Sequence, residues 1–265
     1  MPMQGKDNFP VFGSPGIEEA GILDVEAVIR TAGDRTARGA VRARHRPGLP
    51  GAVDSGAARS ARNCRVVMIS ILIPAYARPE QLGEALASIA KQDRSLIGEI
   101  IIGDDSPRSY WADNQAVIAA SGLAGLIEYL PSEPPKGTYP NQWFLASRAK
   151  YDHLLFLHND DQLCPGALRL LANACIQQAD SRVKLWFGTQ LIMDEAGVVD
   201  PERSGASDQW YGRQGPGATR PGWEWCLTES IPSNAFLVER ATYLQCMRGE
   251  RDGNVGDWAF AVRLA

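Results

Sequence analysis

From about Val66 onward, short apolar runs alternate along the chain with amphipathic segments. The runs are "VVMISILIP", "GEIIIGDDS", "LIEYL" and "HLLFLH", and each stops at a turn-forming or charged residue. Short β-branched runs that stop in this way predict buried strands. Between them, "RPEQLGEALASIAKQ" places Leu82, Leu86 and Ile89 on one helical face, with Pro79 at the expected first helical position. Strands separated by helices predict βαβ units, and therefore an α/β fold with a mainly parallel, Rossmann-like sheet flanked by helices.

The N-terminal part of the chain has a different composition. Residues 31–63 are rich in Ala, Gly and Arg and nearly free of large apolar side chains. Because such a segment buries too little apolar surface to offset its chain entropy, we predict a mostly disordered, low-complexity extension over residues 1–65. Within it, residues 17–30 predict one short amphipathic helix. Either the extension is genuine or the start is assigned too far upstream, since Met68 opens the first strong strand. The compact domain is expected over residues 66–265, ending either as a truncated product or as a minimal domain.

Composition and charge exclude several classes of protein. A net charge of -4 over 265 residues gives no reason to expect a nucleic-acid partner. No apolar stretch approaches the roughly 18 residues of a transmembrane helix, and the N-terminus lacks the order of a signal peptide. The five cysteines are odd in number and show no CxxC spacing, so they predict reduced thiols in a cytoplasmic protein.

Two of the predicted strands end in pairs of carboxylates, Asp104-Asp105 and Asp160-Asp161. Either pair alone is typical of backbone capping at a turn. Because the carboxyl ends of parallel strands meet at one edge of a sheet, the two pairs together predict a shared ligand crevice. His158, Asp160 and Asp161 offer nitrogen and oxygen ligands of the kind that hold Mg²⁺ or Mn²⁺. The chain has neither a phosphate-binding G-x-x-x-x-G-K-[ST] nor a G-x-G-x-x-G after a strand, which disfavours ATPases and dinucleotide-binding enzymes.

The segments "ISILIPAYARPEQLGEALASIAKQ", "EIIIGDDS" and "LLFLHNDDQLCPGAL" resemble, in this order, the family 2 glycosyltransferases of GT-A fold. The resemblance runs from about Val66 to the C-terminus. It implies that six residues bind a nucleotide sugar: Pro74, Ala75, Tyr76, Asp104, Asp105 and Asp160. It also implies that Asp160, His158 and Asp161 surround a divalent cation. His158 stands where the family usually has Asp, and this departure is expected to weaken or retune metal binding.

Near the C-terminus, "VGDWAFAVRLA" resembles the E-D-W segment with which the family opens a late helix. The resemblance implies that Asp257 is the general base, which takes the proton of an acceptor hydroxyl and gives inversion at the sugar. The alternative role for Asp257 is a helix cap. Gly256 stands where Glu is usual, which is a second departure from the family pattern.

The segment "DQWYGRQGPGATRPGWEWCLTESIPSNAF" is rich in tryptophan, glycine and proline. Flat aromatic rings stack on the C–H faces of sugars, so Trp210, Trp223 and Trp225 are candidates for an acceptor site. Packing of the same side chains into the core stays open as the alternative.

The resemblance implies an inverting, Mn²⁺- or Mg²⁺-assisted glycosyltransferase that uses a UDP- or dTDP-sugar. Its acceptor would be a saccharide or a lipid-linked precursor of a polysaccharide, in the cytoplasm or at the inner face of the plasma membrane, with peripheral membrane association. A second hypothesis is a catalytically weak nucleotide-sugar-binding module or an inactive truncated homologue, motivated by His158, Gly256 and the early C-terminus. A nucleotidyltransferase is disfavoured because "AYARPEQLG" is not a Gly-rich basic loop.

Overall fold

The computed structural model describes residues 21–32 and 67–265, apart from 179–182, 195, 214–218, 250–252 and 254. The strands are β1 (Gly21–Ala32), β2 (Ile69–Ala75), β3 (Ile97–Asp104), β4 (Ile127–Pro131), β5 (His153–Phe156), β6 (Gln162–Leu163), β7 (Val183–Met193), β8 (Thr219–Pro221) and β9 (Leu237–Glu239). The helices are α1 (Pro79–Ala90), α2 (Trp111–Ala120), α3 (Thr138–Arg148), α4 (Ala167–Gln177), α5 (Pro201–Trp210), α6 (Gly222–Leu227), α7 (Arg240–Cys246) and α8 (Gly256–Leu264). The predicted disorder of residues 1–20 and 33–65 falls outside the described residues.

The strands form one mixed sheet whose order across the described residues is β4-β3-β2-β5-β9-β7-β1-β6, with β8 paired to β1. Strands β4, β3, β2 and β5 are parallel neighbours. In this block Leu72 lies opposite both Ile101 and Phe156, so the three strands end near the same edge. Strand β9 runs antiparallel between β5 and β7. The predicted α/β fold with a mainly parallel sheet is confirmed.

Successive side chains of the central strands enter two different hydrophobic layers. Ile71 and Ile73 pack with helices α1 and α4, whereas Leu72 packs with α3, α7 and α8. Because both faces of the sheet are covered, these strands are apolar at nearly every position instead of alternating with polar residues. This continuity is why short apolar runs in the sequence predicted them correctly.

The helix predicted over residues 17–30 is wrong where the structure describes the chain. Residues 21–32 form strand β1, which pairs in parallel with β7 and antiparallel with β6 and β8. The stretch "GILDVEAVIRTA" is rich in β-branched residues, which suit a pleated strand as well as a helical face. Pairing with the long strand β7 decides between the two, since tertiary context overrides weak local propensity.

The carboxyl ends of β2, β3 and β5 bring three connecting segments to one edge of the sheet. The backbone N–H of Asp105 donates to Ala75 O (3.0 Å), and that of Leu157 donates to Leu72 O (3.0 Å). A tight turn follows β5, in which the N–H of Asp161 donates to His158 O (3.2 Å). Backbone hydrogen bonds between neighbouring strands therefore fix the positions of the segments at this edge.

Among the described helices, none is long and apolar enough to cross a bilayer.

Candidate active site

A cavity of about 640 Å³ opens at the carboxyl edge of β2, β3 and β5. Its walls come from the exit of β2, the exit of β3, the start of α3 and the turn after β5. The structure brings six of the predicted site residues together in its lining: Pro74, Ala75, Tyr76, Asp105, His158 and Asp160. We call it the strand-end cavity. Residues widely separated in the sequence meet here because parallel strands share one carboxyl edge.

Asp104 does not line the strand-end cavity, contrary to the expectation that both carboxylates of its pair face a ligand. Its side chain is fully buried and accepts hydrogen bonds from Ser106 N (2.8 Å), Asn114 Nδ2 (2.7 Å) and the hydroxyl of Tyr129. Burial and the Asp104 charge together raise the pKa of Tyr129, which keeps this hydroxyl protonated as a donor. We therefore assign Asp104 a supporting position behind the cavity wall, since consecutive strand residues point to opposite faces.

Asp105 faces the strand-end cavity and holds its wall in place. Its Oδ2 accepts hydrogen bonds from the backbone N–H groups of Lys136 (3.0 Å) and Gly137 (2.8 Å). Its Oδ1 is buried and has no hydrogen-bond partner among the described residues. A buried carboxylate oxygen without a donor is costly. An O–H or N–H group of a bound ligand is the partner that would satisfy it.

His158, Asp160 and Asp161 form an acidic cluster with one imidazole. One ligand atom from each residue lies within 4.8 Å of the others. Asp161 is buried, its Oδ2 accepts from Asn234 Nδ2 (2.6 Å), and the same oxygen lies 3.9 Å from His158 Nδ1. Asp160 lies at the cavity and forms an ion pair with Arg78. Two carboxylates and an imidazole at this spacing fit a divalent cation.

His158 lies within the electrostatic reach of both Asp160 and Asp257. Burial lowers the pKa of its imidazole and outweighs the opposing effect of the two carboxylates, so the ring is neutral near pH 7. Its Nε2 is 3.4 Å from Gln142 Nε2, and the Tyr243 hydroxyl donates to Gln142 Oε1 (3.2 Å). A neutral, oriented ring is the form of histidine that binds metals.

Asp257 lines a second cavity of about 430 Å³, which we call the helix-end cavity. The residue lies in the first turn of α8, is exposed, and accepts a hydrogen bond from Trp258 N (2.8 Å). The Tyr139 side chain is close enough to this carboxylate to interact with it electrostatically. Burial, followed by the charge of Asp257, raises the pKa of Tyr139 and keeps its hydroxyl protonated. The alternative role of Asp257 as the helix N-cap is wrong, because the N-cap of α8 is Val255 and Asp257 lies within the first helical turn. A carboxylate in this turn is stabilised by the helix dipole.

Gly256 leaves the space that the Tyr139 ring occupies. A Cβ atom built on Gly256 would lie closer than 3.0 Å to three ring carbons of Tyr139. Any side chain at this position therefore requires the ring to move. At position 256, where the resembling family usually has Glu, this chain has Gly, and the ring of Tyr139 occupies the space that a side chain would need. The sequence pattern did not single out Tyr139.

The three tryptophans predicted for an acceptor site have different environments. Trp225 is buried, packs edge-on against Phe187 with ring centroids 5.1 Å apart, and also lines the helix-end cavity. Trp210 is 83% exposed and Trp223 48% exposed, and neither lines that cavity. Trp258, which the sequence reasoning did not single out, is half-exposed and lines the cavity beside Asp257. Its position directly after the candidate base Asp257 in "GDWAF" is the feature of the sequence that could have identified it.

The central part of the chain matches a known protein family. Residues 70–184 match the family described as "Glycosyl transferase family 2". The predicted resemblance to these enzymes is confirmed. An uncharacterized protein from Mycobacterium tuberculosis (strain CDC 1551 / Oshkosh), MT1568, is 32% identical over 105 residues, which are 40% of this chain and 31% of that protein.

Solved structures with a similar fold include Staphylococcus aureus TarS 1-349 in complex with UDP. It has a TM-score of 0.54 and 16% identity, with 74% of this chain and 54% of that chain covered. A second similar structure is the mannosyltransferase PcManGT from Pyrobaculum calidifontis in complex with GDP-Man and Mn²⁺. Its TM-score is 0.52 and its sequence identity is 16%, and the match covers 74% of this chain and 51% of that chain. The chain thus spans about half the length of these proteins. At such identities the likeness shows the fold alone, and the predicted GT-A type is confirmed.

Proposed function

We propose, on the premise that residues 70–184 carry a family 2 glycosyltransferase region, that the protein is an inverting, metal-assisted glycosyltransferase. The donor would be a UDP- or dTDP-sugar, and the acceptor a saccharide or a lipid-linked saccharide. One observation carries the proposal: the cavity lined by Asp105, whose buried Oδ1 has no donor, is also lined by His158 and Asp160, whose ligand atoms lie within 4.8 Å of each other and of one from Asp161. Direct transfer requires an acceptor base close to such a donor site, and Asp257 is the candidate for it.

In this proposal the strand-end cavity binds the nucleotide sugar. The unsatisfied Asp105 Oδ1 accepts from a ribose hydroxyl or a base N–H. Tyr76 has 59% of its surface exposed and offers its ring to the base, while Pro74 and Ala75 line the same wall. These contacts recognise the nucleotide and leave the sugar near Asp160.

Asp160, His158 and Asp161 are the residues that would hold the divalent cation. A bound cation stabilises negative charge on the departing nucleoside diphosphate. The imidazole favours Mn²⁺ over Mg²⁺, because Mg²⁺ prefers oxygen ligands alone. The side-chain N–H of Asn234 donates to Asp161 and orients its carboxylate toward the cluster.

Asp257 acts as the general base in the proposed reaction. Its carboxylate takes the proton from an acceptor hydroxyl while that oxygen forms a bond to the anomeric carbon. The bond from that carbon to the diphosphate oxygen breaks on the opposite face, which inverts the configuration. The Tyr139 side chain interacts electrostatically with this carboxylate. Trp258 provides an aromatic face for a sugar ring of the acceptor.

A cytoplasmic location belongs to the same proposal, at the inner face of the plasma membrane if the acceptor is lipid-linked. The four described cysteines, Cys164, Cys175, Cys226 and Cys246, are all buried and unbridged, which fits a reducing compartment. Peripheral association with the membrane would bring the helix-end cavity to such an acceptor.

The test is calorimetric titration of the full chain with UDP, with and without Mn²⁺, on the wild type and on Asp160→Ala. We expect Mn²⁺ to tighten UDP binding in the wild type and to have little effect in the variant. Asp93→Ala is the matched control, because Asp93 is also paired with an arginine (Arg169, 2.8 Å) but lies outside the cavity. Absence of binding for UDP, dTDP and GDP alike would contradict the proposal. Nucleotide binding without transfer to any saccharide would favour the binding-module alternative.

A further inference from the structure

Arg78 is a cation already bound to the carboxylate that the proposed function assigns to a divalent metal. Its guanidinium Nη1 forms an ion pair with Asp160 Oδ2. Both residues line the strand-end cavity, and both side chains are partly exposed, at 54% and 27%. The pair therefore lies at the mouth of the cavity, where an incoming ligand can reach it.

The backbone around Arg78 is held in an unusual conformation. Ala77 has a φ of +48°, in the left-handed region that residues with a Cβ rarely adopt. Its N–H donates to Ser106 Oγ (2.7 Å), and helix α1 begins directly after Arg78 at Pro79. Arg78 O accepts from Leu82 N (3.0 Å) as the first bond of that helix. The strained residue and the helix start together fix the direction in which the Arg78 side chain leaves the chain.

A divalent cation and the Arg78 guanidinium compete for the same carboxylate. Both are positive, so they repel each other when they are close to Asp160. The donor's diphosphate carries negative oxygens that match the planar, forked donors of a guanidinium. The ion pair with Asp160 and a contact to diphosphate are thus alternative partners for one side chain.

We propose that Arg78 is a tethered cation that neutralises Asp160 in the free protein and moves to the donor's diphosphate when a nucleotide binds. The inference rests on the proposed function. It predicts that Arg78 lowers the affinity of the free protein for divalent cations and lets nucleotide bind without one. Metal and nucleotide are then expected to bind together more favourably than separately, because nucleotide removes Arg78 from the metal ligand.

Lys136 provides the matched control, because it is a basic residue in the lining of the same cavity. Its ammonium group contacts Ser132 Oγ and lies 4.5 Å from the centre of the Phe144 ring, whereas the ion pair of Asp160 is with Arg78. Neutralising Lys136 removes one positive charge from the cavity without freeing the carboxylate. The two substitutions therefore separate a general loss of charge from loss of the ion pair.

The experiment compares the full-length wild type with Arg78→Gln, Arg78→Lys and Lys136→Gln. Mn²⁺ affinity without nucleotide is followed by the electron paramagnetic resonance of free Mn²⁺, and UDP affinity in EDTA by calorimetry. For Arg78→Gln we expect Mn²⁺ to bind about tenfold more tightly and UDP in EDTA to bind about tenfold more weakly, the size of one charge-assisted hydrogen bond. Arg78→Lys should retain most of the UDP affinity, and Lys136→Gln should leave Mn²⁺ affinity unchanged.

The outcomes separate this inference from the proposed function. If the wild type binds UDP but Arg78→Gln, folded by circular dichroism, changes neither affinity, the tethered-cation inference is wrong and the function stands. An equal gain of Mn²⁺ affinity in Lys136→Gln would also overturn it, since the effect would then be one of overall charge. If UDP, dTDP and GDP all fail to bind the wild type, both proposals fall.

Discussion

The two cavities are built in different ways. Three parallel strands end at the strand-end cavity, and backbone hydrogen bonds such as Asp105 N to Ala75 O fix its walls. The helix-end cavity lies against α6, α8 and the segment 229–233 between them. Its surroundings depend on side-chain packing, including Trp225 against Phe187 and the stacked rings of Phe236 and Phe260, whose centroids are 5.7 Å apart.

This difference has a consequence for specificity. A sheet edge determines atom positions through backbone register, which many sequences can satisfy. The strand-end cavity, which we propose as the donor site, therefore suits a nucleotide common to many enzymes. Helix ends and loops change shape with each side chain, so the helix-end cavity, our proposed acceptor site, is where specificity for a particular saccharide would arise. Tyr139 connects the two, since it belongs to α3, whose start lines the strand-end cavity, and its side chain interacts electrostatically with Asp257 of the helix-end cavity.

The largest effect that we expect separates the two cavities completely. Asp257→Asn removes the proposed base but leaves the strand-end cavity intact. Transfer should fall by about a hundredfold or more, the usual contribution of a general base, with no change in UDP affinity. Initial rates with a donor and acceptor pair, together with calorimetry of UDP, check this result. A variant that keeps wild-type rates would show that Asp257 is not the base.

A second substitution tests whether Gly256 and the Tyr139 ring, which lie between the two cavities, pack as closely as the structure shows. Gly256→Ala places a methyl group against the Tyr139 ring, and relief of this overlap should cost about 1–3 kcal/mol of unfolding free energy. Gly205→Ala is the control, because a Cβ at Gly205 in α5 meets no atom within 4 Å. That variant should be as stable as the wild type or slightly more so. Thermal unfolding of both variants measures the difference, and equal melting temperatures would contradict the close packing.

The smallest expected effect sharpens the assignment of the acceptor side. Trp258→Ala removes an aromatic face beside Asp257, whereas Trp210→Ala removes an exposed ring outside the helix-end cavity. For Trp258→Ala we expect the acceptor KM to rise about fivefold to tenfold, as for loss of one aromatic contact, with an unchanged KM for the donor. Steady-state kinetics with the acceptor varied would show it. A similar rise in Trp210→Ala would place the acceptor elsewhere.

Much of the strand-end cavity could be predicted from the sequence, because the patterns that indicate it are local. Apolar runs that end at carboxylates identify parallel strands and their carboxyl edge, and this placed Asp105, His158 and Asp160 in one cavity. The same signals could not distinguish Asp104 from Asp105, since a one-residue step along a strand reverses the side-chain direction. Nor could they separate strand from helix in "GILDVEAVIRTA", whose pattern is compatible with both periods.

The sequence by itself therefore determined the α/β order of elements, the acidic strand ends and the region of the candidate base. Only the tertiary structure decided which side chains act together. Arg78 and Asp160 are 82 residues apart in the chain, and no local pattern relates them. The same holds for Tyr139 against Gly256, and for the pairing of β1 with β7. Periodicity reports which face of an element is buried, whereas contacts between distant elements depend on sheet register and on packing of the whole fold.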